Sequence, residues 1–141
     1  MPLFNDLKPI EIVAYTDGAC RGNPGPAAAA TALSVNGQVV AERSKYLGKS
    51  TNNRAEYEAV ILALKTAAEL NATAVTICTD SQLIARQITG RYKINNADLL
   101  PLRDKIKVLA AGFKSFKVVE IPREQNKLAD GLANKCLDSH R

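Results

Sequence analysis

An α/β fold is predicted for this chain: a mixed five-stranded sheet in the strand order 3-2-1-4-5, flanked by helices. Three observations predict it. Three strand-like segments open the chain, the last two of them joined by Asn36-Gly37. Helical and strand-like periodicities then alternate to the C-terminus, a pattern that calls for crossover connections and parallel pairing. Apolar residues make up 46% of the 141 residues and charged residues 23%, the balance of a packed globular chain. That length fits one domain spanning residues 1–141. Trp is absent and Phe occurs three times, so the core must rest on Ala, Val, Ile and Leu.

Residues 10–17 are β-branched and apolar on both alternating faces, as a central strand requires. Residues 27–35 and 38–47 form a hairpin, because Asn36-Gly37 supplies the two positive-φ positions of a type I′ turn. Residues 53–70 repeat Tyr57, Val60, Ile61, Leu64 and Ala68 at three- and four-residue spacing, with Glu58, Lys65 and Glu69 left for solvent. Residues 72–79 read as a second buried strand. Residues 81–89 form a short helix stopped by Gly90, and residues 97–111 a longer one stopped by Gly112. Residues 115–121 alternate as a last strand, and residues 124–138 form a helix predicted to bury Leu128, Leu132 and Cys136. The first strand then lies between the hairpin and the 72–79 strand. Chain direction reverses between those neighbours, and ligands of open α/β sheets settle in such a crevice, beyond the carboxyl ends of the strands.

The longest mainly apolar stretch, residues 26–35, is far shorter than the ~20 residues of a membrane helix. The start Met1-Pro2-Leu3-Phe4-Asn5-Asp6 lacks the basic and apolar regions of a secretory signal. Cys20, Cys78 and Cys136 are an odd, widely spaced set without zinc-ligand spacing, which fits reduced thiols and a cytoplasmic location. The net charge of +5 is uneven: residues 86–117 hold eight Lys/Arg against two acids, a net +6, leaving −1 elsewhere. A basic surface of that kind suits a phosphate backbone, although an ordinary solvated helix face is the commoner reason for such a cluster.

Asp17 and Asp80 each end a predicted strand, followed at once by Gly18 and Ser81. On neighbouring parallel strands they would face one crevice, where two anions repel unless a cation lies between them. Oxygen-only ligands select hard ions such as Mg²⁺ or Mn²⁺. Glu56, with Val60, Ala63 and Ala67 above it on its helix, can point inward as a third acid. Asp130, early in the last helix, is a fourth. Each has a simpler explanation: Asp favours turns, Asn53-Arg54-Ala55-Glu56 has capping-box spacing, and Asp130 could be one more exposed helical charge.

Four segments decide between these explanations. Thr16-Asp17-Gly18-Ala19-Cys20-Arg21-Gly22-Asn23-Pro24-Gly25-Pro26, Thr51-Asn52-Asn53-Arg54-Ala55-Glu56, Thr79-Asp80-Ser81-Gln82 and Asn126-Lys127-Leu128-Ala129-Asp130 occur in this order, each on its expected element. Together they resemble the four motifs of the type 1 ribonuclease H family, over nearly the whole chain. The resemblance implies a ribonuclease H-like fold in which Asp17, Glu56, Asp80 and Asp130 hold two Mg²⁺ or Mn²⁺ ions. It implies an endonuclease that hydrolyses the RNA strand of RNA–DNA hybrids to 5′-phosphate and 3′-hydroxyl ends. Two such cations, ~4 Å apart, activate a water and neutralise the leaving oxygen. The resemblance also assigns Cys20, Asn23 and Gln82, with Asn52 and Asn53, to the hybrid's minor groove, where the 2′-hydroxyl tells RNA from DNA. It assigns Lys49, Thr51 and Asn96 to a pocket for a DNA-strand phosphate. A monomer is expected.

The chain departs from the family pattern in three ways. Many members carry a mobile His in the loop before the last helix. Ile121-Pro122-Arg123-Glu124-Gln125 has none, and the single His, His140, falls where a frayed tail is expected. Arg123 is expected to take over part of that role by easing product departure. Residues 90–97 are too short for the Trp-containing basic protrusion of the long bacterial form, so grip on the DNA strand falls to the +6 segment and Lys49. As in compact archaeal-like forms, this leaves room for double-stranded RNA as a further substrate. No separate hybrid-binding domain is recognisable within the chain, so processive binding is not implied. A same-fold nuclease of other specificity, and a nucleic-acid-binding module without chemistry, are the alternatives. The second gives no reason for keeping all four acids.

Overall fold

The computed structural model describes residues 9–140; the N-terminal segment read above for a secretory signal lies outside them. Five strands form one sheet in the order β3-β2-β1-β4-β5, as expected. β1 (Glu11–Cys20), β2 (Gly25–Val35) and β3 (Gln38–Ser50) form an antiparallel meander, while β4 (Ala74–Thr79) and β5 (Ser115–Glu120) add parallel strands on the other side of β1. The β2–β3 turn has Asn36 at φ 52° and Gly37 at φ 80°, the pair of left-handed residues that a type I′ hairpin requires.

β1 does not stop at Asp17. Beyond Thr16, which pairs with Thr79, it loses β4 and continues to Cys20 against β2 alone. The strand therefore carries Asp17 to the level where β4 ends and Asp80 begins.

The helices cover the two faces unequally. α1 (Asn52–Glu69), α2 (Gln82–Ile88) and α3 (Leu100–Ala110) share the main core, where Tyr57, Val60 and Leu64 meet Ile12, Ala14, Leu33 and Ile77. α4 (Lys127–Asp138) lies on the opposite face, where Cys136 and Leu137 pack on Ala28. Between the layers runs β2, whose Ala27, Ala28, Ala29, Ala30 and Ala32 are all buried. Among the described residues, no helix is long and apolar enough to cross a membrane.

Six local expectations are corrected. The cap of α1 is Thr51, whose hydroxyl accepts from the Arg54 N–H at 3.2 Å; Glu56 is therefore free of the capping-box role suggested by its spacing. Ala68 is exposed, and the buried face of α1 runs through Ala63, Leu64 and Ala67. In α4 the buried residues are Ala129, Ala133, Cys136 and Leu137, with Leu128 exposed. Alanine methyls let the helix approach the sheet more closely than leucines would. The helix expected over residues 97–111 opens as a 3-10 turn, Ala97–Leu99, capped by Asn96, before α3 begins with Pro101 in its first turn. The helix expected from residue 124 likewise follows a separate 3-10 turn, Arg123–Gln125. His140 does not fray: its ring stacks on Tyr46 at 4.1 Å and Nδ1 lies 2.8 Å from the Cys136 carbonyl oxygen.

Candidate active site

The carboxyl ends of β1 and β4, the start of α1 and the start of α4 border one cleft of about 430 Å³. Asp17, Glu56, Asp80 and Asp130 all line it, together with Cys20, Asn52, Ser81, Arg123 and Asn134. Glu56 reaches it because α1 runs against β1 at Gly18, where a side chain would collide with the Ala55 backbone. The Gly18 N–H then donates to Glu56 Oε1 at 3.0 Å.

Burial separates the four acids. Asp17 and Glu56 are 6% and 7% exposed, whereas Asp80 is half-buried and Asp130 exposed. Burial, aided by the facing Glu56, Asp130 and Asp80, pushes the Asp17 carboxyl far above the usual carboxylate range, to about 9. Burial also pushes Glu56 up, to about 7, against the pull of its bonds from Asp17 and Gly18 and of the Arg123 guanidinium. Each of the two carboxyls bears on the other's titration, and close anions without a cation between them hold on to protons.

Oxygen-only donors crowded until they retain protons suit a hard divalent cation, which would replace those protons. Among the described residues, no three acidic, His or Cys side chains are yet drawn together as a closed ligand set. Neutral donors hold three of the acids one by one: Gly18 holds Glu56, the Asn126 amide holds Asp80 Oδ2 at 2.9 Å, and the Asn134 amide holds Asp130 Oδ1 at 3.2 Å. All four acids line the one cleft.

This arrangement links stability to pH. Folded Asp17 and Glu56 keep protons that the unfolded chain has lost above its ordinary carboxylate pKa near 4, so the folded state binds more protons and stability falls as pH rises. The loss should run from about pH 4 through about 7 to about 9. Melting of chelated protein across pH 5–9 is expected to show a falling midpoint, and Mg²⁺ should recover most of it at high pH. A flat profile would mean that the two carboxyls do not meet.

The residues expected to touch a nucleic acid fall into three groups. Cys20 and Asn52 line the cleft, and Asn23 stands beside it, its Oδ1 accepting from the Asn52 N–H at 3.0 Å. Asn53 and Asn96 meet in an adjoining depression of about 530 Å³ with Arg91, Tyr92 and Lys93. Gln82, Lys49 and Thr51 line neither hollow. Gln82 is exposed against the Arg86 guanidinium, Lys49 is exposed on β3, and Thr51 spends its hydroxyl on the helix cap. Sequence reasoning missed Asn126 and Asn134. Their signal was the spacing Asn126–Asp130–Asn134, one polar line along a helix.

A family model described as reverse transcriptase-like matches residues 15–136. Ribonuclease HI of Halobacterium salinarum is 44% identical over 126 residues, 89% of this chain and 63% of that protein. The solved RNase H1 structure from that archaeon has a TM-score of 0.89 at 43% identity, covering 92% of this chain and 98% of the other. Ribonuclease H of Bartonella quintana is 42% identical over 160 residues, 99% of this chain and 96% of that protein. LC11-RNase H1, solved in complex with an RNA/DNA hybrid, has a TM-score of 0.87 at 38% identity, covering 92% of this chain and 98% of the other. This chain spans between 36% and 63% of the length of the first curated relatives it matches.

Proposed function

The chain belongs to the ribonuclease H family, and from that premise we propose that it is an endonuclease cutting the RNA strand of RNA–DNA hybrids. We read residues 1–141 as one such domain. The observation that carries the reading is the meeting of Asp17, Glu56, Asp80 and Asp130 at one cleft, on three separate elements and the turn after β4. The hybrid bound by the 38% identical LC11-RNase H1 supports the choice of substrate.

Those four carboxylates are the groups that would hold divalent cations, Mg²⁺ or Mn²⁺, in keeping with their all-oxygen chemistry. Two such ions, when bound, supply the charge that activates an attacking water and stabilises the departing 3′-oxygen, giving 5′-phosphate and 3′-hydroxyl ends. The protein's own part is to orient: Gly18, Asn126 and Asn134 fix one oxygen each of Glu56, Asp80 and Asp130. Cys20, Asn23, Asn52 and Asn53 offer polar atoms to the groove of the hybrid, and Asn96 one side of a pocket for a DNA-strand phosphate.

Arg123 points its charge into the acid cleft and acts electrostatically on Glu56. It would draw the scissile phosphate in and help the new 5′-phosphate leave. Arg123→Ala is expected to slow steady-state turnover by about tenfold, roughly 1.4 kcal/mol, with a smaller effect on a single turnover. Equal rates in both regimes would remove Arg123 from the reaction. Grip on the DNA strand should come from exposed cations such as Lys49, Arg91 and Lys93. Hybrid affinity is then expected to fall by about 10-fold or more between 50 and 200 mM salt, measured by anisotropy in chelator; a flat response would remove these cations from the interface.

The test of the whole reading is one gel experiment on labelled hybrid, double-stranded RNA and DNA duplex, with chelator or with Mg²⁺ or Mn²⁺. Metal-dependent cleavage confined to RNA strands is expected. Absence of hybrid cleavage in every metal would refute the proposal.

A further inference from the structure

The geometry points to Asn126 as the positioning residue that aims the Asp80 carboxylate and locks it to β1 and α4; the inference rests on the reading of Asp80 as one of the reactive acids. Asn126 is 1% exposed. Its amide nitrogen donates at 2.9 Å to the Thr16 carbonyl and at 2.9 Å to Asp80 Oδ2. A side-chain amide has two hydrogens to give, and both are used. Thr16 is the residue before Asp17, so one side chain reaches the strand end that carries one acid and the carboxylate of another.

The backbone of Asn126 extends the junction. Its N–H donates to the Arg123 carbonyl at 3.0 Å and its carbonyl accepts from the Asp130 N–H at 3.1 Å. The turn bearing Arg123 and the first turn of α4 are therefore fastened at the residue that holds Asp80. Glu56 and Asp130 have side-chain oxygens held by other donors, Gly18 and Asn134, whereas Asp80 is held by Asn126.

Two features indicate that the side chain is placed for Asp80 and not for the helix it precedes. Asn126 occupies the N-cap position of α4, where Asn ordinarily accepts from a helix N–H, yet it makes no capping bond. Its Oδ1 is buried without a partner among the described residues, which costs stability. Turning the amide over would not relieve this, because Oδ1 would then face the Thr16 carbonyl and the Asp80 carboxylate, both acceptors. The fold tolerates one unpaired oxygen and an uncapped helix in exchange for two donors directed at the acid cluster. Asp80 is left with its other oxygen for the cleft it lines.

The test compares native protein with Asn126→Ala and Asn126→Asp by three measurements. Steady-state kinetics on hybrid should show kcat about 10- to 100-fold lower with KM within about twofold. A Mg²⁺ titration without substrate, by calorimetry, should show affinity weakened about tenfold in the alanine variant, while circular dichroism in chelator stays native. Crystal structures of both variants should show the Asp80 carboxylate rotated from its native position, most in Asn126→Asp, which keeps the shape but sets an anion against Asp80. Asn126→Ser, retaining a single donor, is expected to show the same shifts in smaller measure and serves if the alanine variant does not fold. An unmoved Asp80 with native Mg²⁺ affinity would overturn the inference. Were native protein itself to leave hybrid uncut in every metal, the nuclease reading would fail, and the Asp80 rotamer in the variants would still decide the role of Asn126.

Discussion

Asp80→Asn is expected to lower hybrid cleavage by at least about 10³-fold, about 4 kcal/mol of transition-state stabilisation, while leaving the fold intact. The substitution is close to isosteric, and an amide oxygen at that position still accepts the Asn126 donor that now holds Asp80 Oδ2 at 2.9 Å. What disappears is one negative charge from a cleft lined by four acids. That same loss removes a repulsion: Asp80 raises the proton affinity of both Asp17 and Glu56. The chelated variant should therefore melt at or above the native temperature at neutral pH, even as single-turnover cleavage vanishes. Loss of activity with retained or increased stability identifies a residue kept for chemistry at the expense of folding. Cleavage within tenfold of native, at saturating Mg²⁺, would show that Asp80 takes no part.

Gly18→Ala should damage fold and activity together. A Cβ there would lie 2.8 Å from Ala55 Cβ and closer still to the Ala55 backbone, neither of which is the end of a flexible side chain. α1 would have to retreat from β1. Overpacking of this kind costs roughly 1–3 kcal/mol, and a fall in melting temperature of roughly 5–10 °C is expected. The retreat also lengthens the 3.0 Å bond from the Gly18 N–H to Glu56 and moves that carboxylate out of register with Asp17, so cleavage should drop by more than about 10²-fold. A variant with native melting and native rate would mean that the strand–helix contact is slack.

The contrast between the two substitutions reflects what the sequence made legible. Elements whose signal is local were readable: Asn36-Gly37 could only be a tight hairpin, and the alternation of strands and helices determined the sheet order. The four acids were readable through the segments surrounding them. The burial pattern of α4 was misjudged because leucines at residues 128 and 132 outweighed the alanines at 129 and 133, although it is small residues that permit close packing on a sheet. The cap of α1 was misplaced by two residues because Asn53 and Thr51 are both good caps, and only the path of the preceding strand chooses between them. The role of Asn126 is not legible from its motif, since its partners lie 110 and 46 residues away in sequence. His140 looks like a loose end in the sequence because its partner ring belongs to β3.

The alanine run of β2 has a consequence of its own. With methyl groups at residues 27–30 and 32 and a helix on either side, this strand acts as the spacer that sets how far apart the Glu56-bearing and Asp130-bearing layers stand. A larger residue at any of these positions would widen the gap and alter the reactive geometry with it, so the usual route to a sturdier interior, bulkier packing, is closed along this strand. Adaptation to heat must be sought at the periphery instead, at places such as Val108, which is 75% exposed on α3 and does not line the acid cleft. The thin middle of the sandwich thus leaves evolution room on the outside of the molecule and little within it.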